Sequence, residues 1–353
     1  MLKVFEAFAG YGSQSMALKR LGIDFEVVGI SEVDADAIIS YAYIHCGYDG
    51  SISDVPREEK VKYLRRLNIP HHYKTGELNL DKMIPSRLNA LYEASHLSKN
   101  YGDIRYINPD EIPDFDLFTY SFPCQDVSAA GKHGGLTEGS NTKSSLLWEC
   151  KKIIEAKKPK YLVMENVNSI LGEKNADNFN LFLEYLSSLG YNSKYHILNA
   201  MDYDIPQSRR RLFCVSVLDE ENKFVPPPIK LLRTYLSDLM ESNVDDKYYL
   251  HNDSLEEPLD NKFSYCLDAS YWRGTNLKTF LTKNRRQLVT DKQNPDGTYT
   301  PRKLTPRECL RLMDVSDDDI DKIIDKISDT QLYRLAGNSI VVGVLERIFK
   351  EIL

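Results

Sequence analysis

Short apolar segments alternate with helical patterns through about the first 220 residues, and this alternation is the feature that most constrains the fold. The apolar segments are rich in Val, Ile, Phe and Tyr, a composition typical of buried parallel strands. Strands that alternate with helices predict a doubly wound α/β sheet. The predicted strands are Lys3–Phe8, Phe25–Ile30, Phe115–Tyr120, Tyr161–Met164, Tyr195–Leu198 and Leu212–Val217.

Apolar residues at helical spacing mark several segments between and after these strands. Ser144–Lys157 is one predicted helix. Phe179–Leu189 is another, and it should end at Gly190 because glycine readily adopts the left-handed conformation that follows a helix. The last residues, Ser339–Leu353, predict an amphipathic helix that packs back on a core.

Two regions interrupt the alternation and predict the domain organisation. Residues 56–101 are polar with weak helical patterns, so we interpret them as a helical insertion with a mostly solvated surface. Three consecutive prolines, 226–228, form a stiff linker signal, and the alternation is lost after them. We therefore predict a first domain over 1–217, a smaller second domain over 218–327, and a C-terminal helix over 328–353 that returns to the first domain.

The composition is that of an ordinary globular protein, with 42% hydrophobic and 27% charged residues. The six cysteines are far apart and lack the spacing of zinc ligands or of a disulfide framework, so no metal site is predicted and a reducing compartment is the default. No stretch approaches the roughly 20 apolar residues that span a membrane, and the N-terminus lacks a secretory pattern. These features predict a cytoplasmic protein without membrane contact.

Charge is unevenly distributed along the chain. The net charge of −7 argues against a protein that simply clamps phosphates. Between Lys262 and Arg311, however, there are eleven Lys and Arg against four Asp and Glu, and a run of aspartates follows from Asp314 to Asp329. We interpret this pattern as a basic segment for nucleic-acid contact on an otherwise acidic protein.

The first chemical signal is the glycine-rich segment from Phe8 to Ser13, FAGYGS, between a predicted strand and a predicted helix. Glycines at such a turn let the backbone approach a ligand closely, and an acidic residue after the next strand, here Glu32, can bind ribose hydroxyls. Ser15 replaces the third glycine of the dinucleotide-binding pattern. On this segment alone, a nucleotide-type cofactor and a plain tight turn are both open.

Three further signals follow in the sequence. Cys124 comes just after a predicted strand, where open α/β sheets bind their ligands, although most cysteines are only small buried hydrophobes. Glu165 ends the next strand, where partial desolvation suits a carboxyl to donate a proton, although a capping or solvated glutamate is more common. Arg209 and Arg211 share one face of an extended chain, but such a cluster is by itself more often a surface feature.

In this order, these segments resemble the motifs of the C5-cytosine DNA methyltransferases. The resemblance includes Gly102-Asp103-Ile104, RKLTPRECLRLM at 302–313 and Gly337-Asn338-Ser339, and it leaves out 56–101 and 218–300. Eight motifs in the family order are very specific. The resemblance implies a Rossmann-like sheet that binds S-adenosylmethionine, with a smaller target-recognition domain. The catalytic half is most similar to the CpG-specific methyltransferases of mollicutes.

The resemblance implies catalytic roles for four residues. Cys124 matches the nucleophile that adds to C6 of cytosine and thereby activates C5. Glu165 matches the residue that protonates N3 and binds the exocyclic amine. Arg209 and Arg211 match arginines near the base O2 and the thiolate, where a cation stabilises negative charge. A water or a side chain then removes the C5 proton.

The implied cofactor is S-adenosylmethionine. Val33 stands where some family members place an aromatic residue, and Ser13 replaces a frequent glycine, so either departure would reduce cofactor affinity without touching the catalytic residues. The family's cofactor positions comprise the glycine-rich loop, the ribose acid, residues near the adenine and along the wall, and a C-terminal segment. They fall on Phe8, Gly10, Tyr11, Gly12, Glu32, Asp103, Ile104, Pro123, Leu146, Asn338 and Ser339.

The implied partner is double-stranded DNA with the target cytosine flipped out of the stack. Ser128 and Lys132 lie in a glycine-rich segment that matches the family's mobile active-site loop, which should close over the base. The variable region lacks the glycine-rich signature of the CpG enzymes, so CpG specificity is not predicted. Basic residues there are candidate DNA contacts, with a solvated basic loop as the alternative. The candidates are Arg273, Lys283, Arg285 and Arg286.

Several interpretations compete. The leading one is a monomeric DNA cytosine-5 methyltransferase in a restriction–modification or mobile-element setting, which allows a cognate restriction endonuclease as a partner. The second is a tRNA cytosine-5 methyltransferase of the same fold, but the sizeable recognition region favours duplex DNA. The third is a non-catalytic DNA-binding module, which the intact motifs oppose. A nicotinamide-dependent oxidoreductase fits the glycine-rich loop but has no use for the later motifs.

Overall fold

The computed structural model describes residues 1–70, 78–123, 136 and 145–353. The chain divides into two compact units. The first unit comprises Met1–Leu198, Arg210–Pro227 and Glu346–Leu353, and the second comprises Asn199–Arg209 and Pro228–Leu345. These bounds differ from the predicted domain limits at 217 and 327, since residues 199–209 belong to the second unit and that unit continues to Leu345. Contacts between distant parts of the chain define such bounds, and residues 199–209 carry no local sequence pattern that would assign them to the second unit.

The strands, in chain order, are β1 (Leu2–Ala7), β2 (Phe25–Ser31), β3 (Leu117–Tyr120), β4 (Tyr161–Val167), β5 (Tyr191–Asn199), β6 (Gln207–Ser208), β7 (Arg210–Leu218), β8 (Ser264–Tyr265), β9 (Leu288–Val289) and β10 (Arg302–Lys303). The helices are α1 (Ser13–Arg20), α2 (Ala35–His45), α3 (Arg57–Arg66), α4 (Pro85–Leu97), α5 (Leu146–Lys157), α6 (Ala176–Ser188), α7 (Leu277–Lys283), α8 (Pro306–Arg311), α9 (Asp317–Asp321), α10 (Asp329–Asn338) and α11 (Val342–Ile352).

The first unit is built on one sheet with the strand order β2-β1-β3-β4-β7-β5. β1 pairs in parallel with β2 and β3, and β3 pairs in parallel with β4. All six predicted strands are present in this sheet, although their bounds shift by a few residues. The predicted α/β class with a Rossmann-like sheet is confirmed.

β7 departs from the prediction, because it runs antiparallel to β4 rather than parallel. Residues 212–217 are buried throughout, and a continuous apolar run does not reveal the direction of its strand. The direction matters for the site. It brings the start of β7 to the edge where β1, β3 and β4 end, with Arg211 directly opposite Val167.

Aromatic and aliphatic side chains fill the core beside this sheet. Phe118 lies between Phe5 and Tyr120, with ring centroids 5.9 and 5.0 Å away. Phe182 from α6 is fully buried in the same cluster. Helix α6 ends as predicted, with Gly190 at a φ of 97°, where a Cβ would lie only 2.5 Å from the carboxylate of Asp219.

The 56–101 segment contains α3 and α4, and residues 71–77 lie outside the described chain. The segment also has a buried face, because α4 packs against α2. Arg57 also ties the segment together by donating to the carbonyls of Leu80, Asp81 and Met83 at 2.9–3.1 Å. The apolar side chains that this packing buries are Val61, Leu64, Leu88, Leu91 and Ala94.

Glu6 on β1 is a buried carboxylic acid in the first unit, with no exposed surface. Its Oε1 accepts a hydrogen bond from the hydroxyl of Ser15 at 2.7 Å, and the Tyr41 hydroxyl lies 3.3 Å from that of Ser15. Burial raises the pKa of Glu6 from 4.5 to about 7, against a smaller lowering by these hydroxyls. At the same pH, Glu6 is therefore protonated to a larger extent in the folded protein than in the unfolded chain.

We expect Glu6→Gln to stabilise the protein at about pH 8 by an amount on the order of 3 kcal/mol. In the wild type, the pKa of Glu6 is 4.5 in the unfolded chain and about 7 in the folded protein. The free energy of unfolding is therefore undiminished below pH 4.5 and is partly lost as the pH rises through about 7. Glutamine avoids this loss because it does not ionise. Urea unfolding near pH 5 and pH 8 should show the advantage growing with pH, whereas the exposed variant Glu58→Gln should show none. An advantage that is equal at both pH values would contradict the prediction.

The second unit is built from short elements around a fully buried arginine. Arg302 donates to both carboxylate oxygens of Glu308, at 2.8 and 2.9 Å, and to Asp291 at 2.5 Å. Glu308 also forms a capping box with Thr305 at the start of α8. The 302–313 motif therefore contains the ion pair at the centre of this unit.

Replacing Arg302 with methionine should lower the free energy of unfolding of the second unit by about 3–5 kcal/mol, because the fully buried carboxylate of Glu308 loses its counter-ion. Trp272 lies in this unit and Trp148 lies in the first, so a Trp148→Phe background lets fluorescence follow the second unit alone. The exposed variant Arg273→Met should change stability by no more than about 0.5 kcal/mol. Equal effects of the two variants would show that the buried pair contributes little.

The predicted helix over 339–353 is present as α11, and the predicted C-terminal segment 328–353 contains a second helix, α10, before it. Helix α10 ends at Asn338, with Ser339 as its cap, and α11 begins at Val342. The described chain has no helix that is long and apolar enough to cross a membrane. Among the same residues, no cluster of His, Cys, Asp and Glu is arranged to hold a metal ion.

Candidate active site

The glycine-rich loop after β1 has the backbone that its sequence predicts. Phe8, Gly10 and Gly12 have φ values of 55°, 58° and 84°. A Cβ at Gly12 would lie 2.3 Å from Nε2 of His45, and this same atom is 3.0 Å from the carbonyl of Tyr11. A Cβ at Gly10 would meet nothing within 4 Å. The loop is therefore packed tightly at Gly12 and has open space at Gly10, where a ligand could approach its backbone.

Glu32 is bound to this loop from the end of β2. Its Oε2 accepts the Gly10 N–H at 2.8 Å, and its Oε1 accepts those of Val33 and Asp34 at 2.7 and 2.8 Å. Burial raises the pKa of the Glu32 carboxyl, and these N–H groups oppose the rise. Within the described chain Oε2 accepts one hydrogen bond, so a lone pair is available for a hydroxyl group such as that of a ribose. These features fit the predicted cofactor.

Asp103 and Ile104 are both buried beside the sheet. The carboxylate of Asp103 accepts from the backbone N–H of Arg105 at 3.0 Å and forms an ion pair with its guanidinium at 2.5 Å. Sequence reasoning did not foresee this pair, although an arginine two residues after an aspartate in a tight turn is a signal for it. The other predicted wall residues, Pro123 and Leu146, are half-buried.

Glu165 lies at the end of β4 and is the centre of the site in the first unit. Only 6% of the residue is exposed. Its Oε2 accepts the hydroxyl hydrogen of Ser121 at 2.6 Å, and its Oε1 lies 3.2 Å from Nε of Arg211. The next residue, Asn166, donates to the carbonyl of Phe122 at 3.0 Å, which links the ends of β3 and β4. Glu165 and Arg211 were predicted to belong to one site, and the structure brings them into contact.

Ser121 was missed by sequence reasoning. The available signal was its position at the carboxyl end of β3, three residues before Cys124. Cys124 itself lies outside the described residues, as do Ser128 and Lys132.

Arg209 lies in the second unit, and its described contacts differ from those expected near a base. It is 4% exposed. Its guanidinium donates to the backbone carbonyls of Leu267, Gly337 and Ser339 at 3.0, 3.1 and 2.6 Å. Arg209 therefore fixes the segment that carries the predicted cofactor residues Asn338, which is exposed, and Ser339. A motif match identified the residue, but not these partners.

The predicted DNA-contact residues of the second unit divide into two groups. Arg273, Lys283 and Arg285 are exposed, and Arg285 forms an ion pair with Asp268 at 3.0 Å. Arg286 is half-buried and donates to the hydroxyl of Ser270 at 2.9 Å and to the carbonyl of Gly274. Arg286 thus supports its own loop, whereas the other three present their side chains to solvent.

The basic segment from 262 to 311 is less basic in the folded unit than its sequence suggests. Arg302 is buried and pairs with Glu308 and Asp291 of the same segment. Arg307 pairs with Asp321 at 2.6 Å, and Arg311 pairs with Asp317 at 2.9 Å. The interpretation of segregated charge is therefore wrong for Arg307 and Arg311, since aspartates that follow them in sequence pair with them in space.

The sheet order, the glycine-rich loop after β1 and the carboxylate after β2 define an α/β protein of the class that binds a nucleotide-type cofactor at the carboxyl edge of its sheet. The fold is similar to that of the Dnmt2 methyltransferase of S. pombe, with a TM-score of 0.67 and 17% identity over 99% of this chain and 97% of that one. A mutant form of the DNMT2 of Spodoptera frugiperda gives a TM-score of 0.66, with 19% identity over 99% of both chains.

The sequence comparisons specify the family. The model of the C-5 cytosine-specific DNA methylases matches residues 67–353. The chain is 51% identical to the Type II methyltransferase M2.ScrFI of Lactococcus lactis subsp. cremoris, over 100% of this chain and 99% of the relative. It is 32% identical to the orphan methyltransferase M.SssI of Spiroplasma monobiae, over 99% and 97%. The chain belongs to the C-5 cytosine-specific DNA methylase family, as predicted.

It is therefore a DNA (cytosine-5)-methyltransferase of a family that uses S-adenosylmethionine. The similarity to a Spiroplasma enzyme also agrees with the predicted resemblance to the mollicute methyltransferases. None of the comparisons favours the tRNA-modifying or the non-catalytic alternative.

Proposed function

We propose that the protein methylates C5 of a cytosine that is flipped out of a short, specific site in double-stranded DNA, through a covalent adduct between Cys124 and C6. The observation that carries this proposal is the buried carboxylate of Glu165, held by Ser121 and Arg211 at the carboxyl edge of the sheet. A buried carboxyl group with fixed hydrogen-bonding partners suits the binding of a polar heterocycle that has left the base stack, and protonation of that ring is its proposed role.

The proposed chemistry assigns one role to each side chain. The Cys124 thiolate adds to C6, and the ring nitrogen N3 takes up a proton as charge develops. Glu165 donates this proton and binds the exocyclic amine, while Arg211 stabilises negative charge on the adduct. S-adenosylmethionine supplies the electrophilic methyl group. Loss of the C5 proton to a base then expels Cys124 as a thiolate, and return of the N3 proton to Glu165 restores the neutral aromatic ring.

The first unit offers a binding site for that cofactor at its carboxyl edge. Gly10 provides open backbone, and Glu32 provides an acceptor for ribose hydroxyls. The buried side chains of Asp103 and Ile104 are proposed to contact the adenine. The resemblance adds Phe8, Tyr11, Gly12, Pro123, Leu146, Asn338 and Ser339 to the proposed set.

For DNA contacts we propose the exposed Arg273, Lys283 and Arg285, together with Ser128 and Lys132 of the glycine-rich segment after Cys124. Exposed cations suit phosphate contacts, which determine affinity rather than sequence choice. The internal contacts of Arg286 favour a supporting role for that residue.

The names of the relatives suggest a biological setting. One relative is a Type II methyltransferase and another is an orphan methyltransferase. We therefore propose a monomeric cytoplasmic enzyme that protects DNA in a restriction–modification or mobile-element setting. Its cognate restriction endonuclease, where one exists, would recognise the same sequence.

The proposal is tested by incubating the protein with S-adenosylmethionine and a mixed-sequence duplex library, followed by bisulfite sequencing. We expect 5-methylcytosine at one position of one short sequence, and none in a parallel reaction with tRNA. Methylation of tRNA alone, or of neither substrate, would contradict the proposed activity.

A further inference from the structure

Asn100 connects the segments of the proposed cofactor site, yet it belongs to none of the motifs described above. The residue is 4% exposed and forms a parallel bridge with Ile30 beside the end of β2. Its Nδ2 donates to the carbonyl of Glu32 at 3.0 Å, and its Oδ1 accepts the backbone N–H groups of Glu32 and Gly102, at 3.1 and 3.0 Å. One amide thus satisfies three backbone groups on two separate segments.

We propose that Asn100 is a positioning residue for S-adenosylmethionine, and this inference rests on the proposed function. Asn100 holds the backbone of Glu32 on both its N–H and its carbonyl. The carboxylate of Glu32 in turn holds Gly10 of the glycine-rich loop at 2.8 Å. The residue after Gly102 is Asp103. Asn100 therefore sets the relative positions of the glycine-rich loop, Glu32 and Asp103. It is not itself proposed to contact the cofactor.

An asparagine suits this position because it supplies a donor and an acceptor on one rigid group. Aspartate keeps the acceptor but loses the donor to Glu32 and adds a second negative charge beside that carboxylate. Alanine leaves three buried backbone groups without this partner, and an unpaired buried polar group is costly enough to displace the segment that carries it.

The fold has other links that should survive a change at Asn100. The Ser31 hydroxyl donates to the carbonyl of Gly102 at 2.7 Å, and the Asp103 N–H donates to the carbonyl of Leu67 at 2.9 Å. Both links stay within the first unit and use no atom of Asn100. We therefore expect Asn100 variants to fold while their cofactor residues are displaced.

Asn89 offers a matched control. It is another buried asparagine of the first unit, 5% exposed, and its amide also makes three hydrogen bonds, to Lys60, Ser51 and Ser53 at 2.7–3.2 Å. None of its described partners belongs to the proposed cofactor site. Asn89→Ala therefore removes a similar network at a comparable cost in stability, but away from Glu32.

The test is calorimetric titration of the full-length wild type, Asn100→Ala, Asn100→Asp and Asn89→Ala with S-adenosylmethionine and S-adenosylhomocysteine, without DNA. We expect both Asn100 variants to raise the dissociation constants by about tenfold or more, and Asn89→Ala to leave them unchanged. With a saturating methylatable duplex, the KM for the cofactor should rise by the same factor while kcat stays within about threefold.

The outcomes separate the inference from the function on which it rests. Wild-type affinity in the two Asn100 variants would overturn the positioning role, and so would an equal loss in Asn89→Ala, which would mark a general effect of stability. A wild type that binds neither compound would overturn the proposed cofactor use, and with it this inference. Asn100→Asp keeps the test decisive even where the alanine variant fails to fold, because it is nearly isosteric.

Discussion

Cys124→Ser should reduce methyl transfer by more than about 10³-fold, because a serine hydroxyl is far less acidic and less nucleophilic than a thiol. The variant should still bind DNA and S-adenosylmethionine, since the change replaces one sulfur atom with oxygen and removes little volume. Transfer of a radiolabelled methyl group to duplex DNA measures the activity, and calorimetry measures binding. A denaturation-resistant protein–DNA complex, expected for a wild type trapped on a 5-fluorocytosine duplex, should be absent from the variant.

Cys309→Ala provides the control for loss of a thiol. Cys309 is buried in α8, where burial raises its pKa well above that of a free thiol, so no thiolate is available there. We expect near wild-type transfer from this variant. Substantial methylation by Cys124→Ser would show that the nucleophile is misassigned.

Glu165→Gln should slow the chemical step by about 10² to 10⁴-fold, the usual contribution of a positioned general acid. Glutamine keeps the shape of the side chain and an acceptor for Ser121, but it cannot deliver the proton to N3 and it loses the ion pair with Arg211. Single-turnover reactions with preformed enzyme–DNA complex separate this step from binding and product release. DNA and cofactor affinities should change far less than the rate.

The exposed Glu155 on α5 supplies the matched control, since Glu155→Gln makes the same chemical change away from the site. Its single-turnover rate should equal that of the wild type. A Glu165→Gln variant that loses affinity but keeps its rate would count against the acid role and would favour a role in base recognition.

Much of the site was predictable because its parts are local. The glycine-rich loop, Glu32 and Glu165 all come directly at or after strands that the apolar pattern marks, and parallel strands place such residues at one edge. Hydrogen bonding between Glu32 and Gly10, 22 residues apart, follows from that geometry. The assignment of Cys124 came from the same position and from the motif around it.

Other features depend on contacts that no local pattern encodes. Residues 212–217 would look the same in a parallel strand, yet only the antiparallel direction brings Arg211 to Glu165. Arg209, two residues earlier, binds backbone carbonyls of the second unit. The basic segment that seemed suited to phosphate contact contains Arg302 in a buried ion pair, and Arg307 and Arg311 in pairs with later aspartates.

The sequence by itself determined the α/β class, the order of the motifs and the membership in the methyltransferase family, because periodicity and motif order are properties of neighbouring residues. The tertiary structure alone decided the direction of β7, the pairing of Glu165 with Ser121 and Arg211, and the connecting role of Asn100. These features depend on contacts between residues far apart in the chain, such as Ser121 and Glu165 at a separation of 44 residues. Only the folded sheet brings them within hydrogen-bonding distance.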